Sequence, residues 1–128
     1  VSGGLAGRGV ESGVEIWGPF LKVGPETATS FSMVRNELAT NAMKDGAMSV
    51  PDGKVFLSWT ITGTGESAVM SLIWREAGGP PVTPPERTGF GVRLLKAGLG
   101  RHGKTELHYA PTGLWADLTA PTLSLATF

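Results

Sequence analysis

Between Lys54 and Glu76 the apolar side chains fall on every second residue, and this alternation constrains the fold more than any other feature of the chain. Val55, Leu57, Trp59 and Ile61 share one face of residues 54–62. Gly63-Thr64-Gly65-Glu66 makes a hairpin connection, and the return over 68–76 places Met70, Leu72 and Trp74 on one face. The stretch before it has a different period. From about 26 to 45, Phe31, Val34, Leu38 and Ala42 recur at helical spacing, with Pro25 and Glu26 suited to a first turn and Gly46 to a stop. A second hairpin is expected over 105–110 and 114–120, around Pro111-Thr112-Gly113. Short extended pieces are read at 14–17, ended by Gly18-Pro19, and at 20–23, and a short helix at 92–99. Residues 1–13 contain five glycines and little periodicity, so they read as a linker or frayed start; 14–121 form one domain and 122–128 a loose tail. The sum is an α+β fold, a two-layer sandwich of one or two helices on a mixed, mostly antiparallel sheet.

Composition narrows the functions open to such a domain. At 128 residues, 41% hydrophobic and 17% charged, the chain suits one packed domain. Eleven basic residues balance eleven acidic ones, which argues against a nucleic-acid surface built on bulk positive charge. With no cysteine there is no disulfide framework, redox pair or thiolate metal site. No apolar run reaches the length of a spanning helix and no signal peptide is evident, so no membrane contact is expected and the default compartment is the cytoplasm. The chain opens with Val1, which predicts a fragment of something longer.

Three segments stand out as candidates for chemistry. Glu37, Asn41 and Lys44 fall within a sector of about 60° on the helix. A carboxylate, an amide oxygen and an ammonium in one column suit a magnesium ion and a polyphosphate, because magnesium keeps several waters and needs few protein ligands. Spacing alone favours a solvated face carrying a Glu–Lys pair, although a mid-helix Asn has poor propensity and asks for a reason. Glu76 continues the face of Met70, Leu72 and Trp74 and so points toward the core where the strand ends. A carboxylate there needs a partner. It either reaches water or Arg75 or Arg87 at a fraying end, or accepts hydrogen bonds from an amine such as that of adenine. The third segment is the loop 78–91, Gly/Pro-rich, with Gly89 and Gly91 directly before the expected helix. It is either a plain loop or a lid whose backbone N–H groups approach an anion. It is neither a Walker loop nor a dinucleotide fingerprint. His102 and His108 lack the spacing of a zinc site, and the four tryptophans read as core and rim.

Together the three segments resemble the ATP-binding catalytic domain of bacterial sensor histidine kinases, in particular the HWE family of the gyrase–Hsp90–histidine kinase–MutL superfamily. Arg35-Asn36-Glu37-Leu38-Ala39-Thr40-Asn41-Ala42-Met43-Lys44, continued by Gly46-Ala47-Met48-Ser49, looks like the family's N-box, HELATNAxKYGALS. Trp74-Arg75-Glu76, followed by Ala77-Gly78-Gly79, is similar to its WxE segment, and Arg87-Thr88-Gly89-Phe90-Gly91 resembles its second glycine box. The resemblance covers about 14–121 and implies a Bergerat-type fold. It further implies that Glu37 sits near the metal and the γ-phosphate, helping to polarise the attacking imidazole, that Asn41 binds Mg²⁺ and that Lys44 contacts phosphate. Glu76 would read the adenine amine, and Gly78 and Gly79 would let the backbone pass close to the base. Gly89 and Gly91, with Arg87 and Phe90 in the same box, would cradle phosphate, and the loop between the glycine boxes would be the ATP lid.

Two positions depart from the pattern. The family's eponymous His is Asn36, and the Tyr after the N-box lysine is Asp45, which adds negative charge beside Lys44. Nothing in the chain resembles the two-helix segment that bears the phosphate-accepting histidine. The implied activity is therefore transfer of the γ-phosphate of Mg–ATP to a histidine on a dimerisation domain elsewhere in the parent protein, with a response regulator downstream. Alternatives are a degenerate nucleotide-binding or docking module, a serine kinase of the anti-sigma type on the same fold, and a plain β-rich scaffold.

Overall fold

A computed structural model describes residues 4–11, 13–81, 103–111 and 113–122. Its elements are β1 (Gly4–Glu11), β2 (Val14–Lys22), α1 (Pro25–Lys44), β3 (Lys54–Thr62), β4 (Val69–Ala77), β5 (Lys104–Ala110) and β6 (Gly113–Pro121), with a 3-10 turn at Ala47–Ser49. The strands form one sheet in the order β1-β2-β3-β4-β6-β5. Among the described residues only β2 and β3 pair in parallel, with α1 as the crossover between them, and the other pairings are antiparallel. This is the expected α+β sandwich with its two hairpins, plus a single βαβ unit.

Register explains the core. Leu57 pairs with Trp74 and Trp74 with Ala116; Trp59 pairs with Leu72 and Leu72 with Leu118. Because side chains alternate across a strand, these rows share one face of the sheet. Phe31, Val34, Leu38 and Ala42 of α1 are buried in the same cluster, so the helical stripe covers the sheet's apolar face. Ile61, at the strand's end, is 39% exposed. The tryptophans divide: Trp59 and Trp74 lie in the core, while Trp17 and Trp115 are exposed on the opposite face, where Trp115 stacks on His108.

The N-terminal expectation requires correction. Residues 4–11 form a strand antiparallel to β2, where a linker or frayed start was expected. Its glycines offer no alternating side chains to read, but backbone groups pair regardless of side chain. The two pieces read at 14–17 and 20–23 are likewise one strand. Gly18-Pro19 does not end it, because pairing with β3 stops at Trp17 and the proline's missing N–H removes no bond from that ladder. Gly18 is small for a different reason: a Cβ there would overlap the Trp59 indole, which donates to the Pro19 carbonyl at 2.7 Å. The helix expected at 92–99 lies outside the described residues, as does most of the tail, although Thr122 donates its N–H to the Ala68 carbonyl at 2.9 Å.

Candidate functional site

Glu76 and the end of α1 meet at one place. The helix runs to Lys44 behind Pro25 at its first turn, and its last turn closes with Asp45 N–H donating to Asn41 O at 2.9 Å and Gly46 N–H to Ala42 O at 3.1 Å. The chain then turns through Gly46 into the 3-10 turn, whose first residue, Ala47, donates its N–H to Glu76 Oε1 at 3.0 Å. Trp74 lies on the same face of β4 and donates its indole N–H to Glu76 Oε2 at 2.9 Å. Glu76 is 5% exposed and Trp74 is fully buried.

Of the fraying-end alternative for Glu76, neither the solvated acid nor the Arg75 pair is found, and Arg87 lies outside the described residues. The carboxylate is buried, not solvated, and Arg75 instead lies over the Phe56 ring, 4.7 Å from its centroid. A buried carboxylate without donors would be strongly disfavoured, and here each oxygen receives one N–H. A carboxylate oxygen has two acceptor positions, so among the described residues one remains open on each. That remaining capacity is what an amine-bearing ligand can use.

Glycines shape the surroundings. A Cβ at Gly46 would collide with Glu76 Oε1, so the glycine that the sequence offers as a helix stop is needed to admit the acid. At Gly79 a Cβ would lie 2.5 Å from Ala47 Cα, and at Gly78 it would lie 2.7 Å from the Asp52 carbonyl. Gly78 also has φ +73°, a conformation L-residues with side chains rarely adopt. The chain leaving β4 therefore passes in backbone contact with the turn after α1.

Glu37 and Asn41 are half-buried and Lys44 is exposed on α1. The column runs back from the Glu76 end toward the helix N-terminus, spanning about 10 Å from Lys44 to Glu37 at the helical rise. Among the described residues, His108 and Glu106 form an ion pair at 3.4 Å on the far face of the sheet, away from the column. No group of three or more His, Asp or Glu side chains suited to a metal occurs among the described residues. A magnesium ion here would thus rest on Asn41 and Glu37 together with ligand oxygens, which suits a cation that retains water and binds phosphates. Arg87, Gly89, Phe90 and Gly91 lie outside the described residues.

Sequence reasoning missed Ala47, whose contribution is a backbone N–H and leaves no mark in residue identity, and it took Trp74 as core and as part of the WxE segment without giving its indole N–H a role. Gly113 was read as a turn; a Cβ there would sit 2.7 Å from the Glu76 carbonyl.

One helix packed against a mixed sheet is an α+β fold that matches histidine kinase catalytic domains. The comparisons agree. The histidine kinase domain of the blue-light-activated histidine kinase EL346 from Erythrobacter litoralis superposes with a TM-score of 0.67 at 19% identity, covering 90% of this chain and 56% of that one. The catalytic domain of histidine kinase ThkA gives 0.52 at 15% identity, over 86% and 79%. In sequence, the chain is 41% identical over 106 residues to a blue-light-activated histidine kinase of Brucella anthropi, and 36% identical over 110 residues to that of Brucella ovis. These alignments take in 81% and 84% of this chain. No family model matches. The chain is a homologue of the histidine kinases and has the fold of their catalytic domain. It spans 22% of the length of the curated relatives it matches.

Proposed function

We propose that this chain is the Mg–ATP-binding catalytic domain of an HWE-type sensor histidine kinase that phosphorylates a histidine on a dimerisation domain of its parent protein. The observation that carries the reading is Glu76: buried, held by two N–H donors, with acceptor capacity left, and adjoining the last turn of α1. ATP bound with its adenine amine on Glu76 would extend its phosphates along the α1 column. Lys44 would neutralise phosphate charge there, Asn41 and Glu37 would hold the magnesium ion through oxygen, and Glu37 would orient the incoming imidazole. The ion's chemistry is neutralisation of charge on the phosphate oxygens, and the protein's share is positioning, so a sparse set of side chains suffices. Gly78 and Gly79 would let the backbone run beside the base, and the resemblance gives Arg87, Gly89, Phe90 and Gly91 the role of contacting phosphate. No helix among the described residues is long and apolar enough to cross a membrane. We place the domain in the cytoplasm, where ATP and a downstream response regulator are available.

The test is phosphotransfer in the parent protein. With radiolabelled ATP it should acquire acid-labile phosphate on histidine, and Asn41→Ala should lower the rate at least about 100-fold, in keeping with loss of charge neutralisation at a transferring phosphoryl group. The present chain alone should acquire none. A parent protein that binds ATP yet never phosphorylates its acceptor helix would establish the docking-module reading instead.

A further inference from the structure

Trp74 is fully buried, and an indole N–H in such a place requires an acceptor. It finds Glu76 Oε2 at 2.9 Å, two residues along the same face of β4. The Ala47 N–H occupies the other oxygen at 3.0 Å. With one donor on each oxygen, the plane of the carboxylate is fixed about its last torsion, and the two acceptor positions left open have defined directions. Gly46 leaves the space the acid needs, and Ala116, the β6 partner of Trp74, is small. The indole thus does more than fill the core.

We propose that Trp74 is a positioning and specificity-determining residue of the nucleotide site: by donating to Oε2 it aims the free acceptor position of Glu76 at the base, favouring one that presents an amine over one that presents a carbonyl. This rests on reading Glu76 as the acid that meets the base. Adenine presents an amine at that position. Hypoxanthine presents a carbonyl oxygen, which would face the carboxylate acceptor to acceptor.

The test is calorimetric titration of the chain with ATP and with inosine triphosphate, in wild type and in Trp74→Phe, which keeps an aromatic ring and removes the donor. Wild type should prefer ATP by about tenfold or more, the scale of one hydrogen bond to a charged group. In Trp74→Phe the ratio should fall toward one, through weaker ATP binding. An unchanged ratio, or equal weakening of both nucleotides, would show a merely structural role and overturn the proposal while leaving the ATP site intact. A wild-type chain that binds neither nucleotide overturns the site itself. Because Trp74→Phe removes core volume, a second measurement uses wild type only. ATP should shift the indole N–H resonance of Trp74 and leave that of Trp59, which donates to Pro19, unmoved. A Trp74 resonance indifferent to saturating ATP contradicts the proposal.

Discussion

Gly46 shows how one residue can serve a purpose its sequence position does not announce. A glycine after a helix suggests a left-handed cap, but Gly46 has φ −112° and ψ −152°, extended backbone that any residue adopts. Its lack of a side chain matters because Glu76 Oε1 occupies that space, and a Cβ would also lie 3.0 Å from Ala42 Cα. Gly46→Ala should therefore displace the carboxylate from the Ala47 N–H. The expected cost is about 1–3 kcal/mol, typical of overpacking, read as a lower urea midpoint. Amide exchange at Ala47 should quicken in the same variant. A protein with unchanged midpoint and unchanged Ala47 protection would show that Glu76 has another place to go.

Among the elements, α1, β3 and β4 were legible because their side chains repeat with the period of the backbone. The stripe Phe31, Val34, Leu38, Ala42 and, Ile61 apart, the apolar faces of the 54–76 hairpin are buried in the core. β1 was not legible, since its pairing uses backbone groups and its glycines write no period. The joining of 14–17 and 20–23 was hidden for a related reason: a proline stops a strand only where its neighbour needs its N–H, and the neighbour is not visible in the sequence. Of the site, Glu76 was legible as an acid out of pattern, whereas the Ala47 amide depends on where the turn after α1 falls in space. The C-terminal hairpin carries its own test. Burial raises the Tyr109 phenol above its ordinary value of 10.0. Below that pH, folded and unfolded chains both keep the proton. Above it the unfolded chain releases it first, so stability falls as pH climbs toward the raised value. Tyr109→Phe should flatten this alkaline loss in urea melts taken from pH 9 to 11, and an identical slope in both proteins would mean the phenol takes no part.

At the scale of the whole molecule, the proposed site would join the two ends of a nucleotide through a single turn of chain. On that proposal the α1 column would supply charge and oxygen ligands and β4 the acid; the acid itself is buried and tied to the turn after α1 by the Ala47 N–H. This arrangement implies that base recognition and metal-dependent phosphate binding are separable by mutation. The most direct measurement is a calorimetric titration of the chain with ATP, with and without Mg²⁺, on wild type, Glu76→Ala and Asn41→Ala. Wild type should bind saturably and more tightly with Mg²⁺; Glu76→Ala should lose binding, and Asn41→Ala should keep weak binding but lose its dependence on the ion. A folded wild-type chain that takes up no ATP at millimolar concentration, or a Glu76→Ala protein that binds as well as wild type, would contradict a nucleotide site at this place.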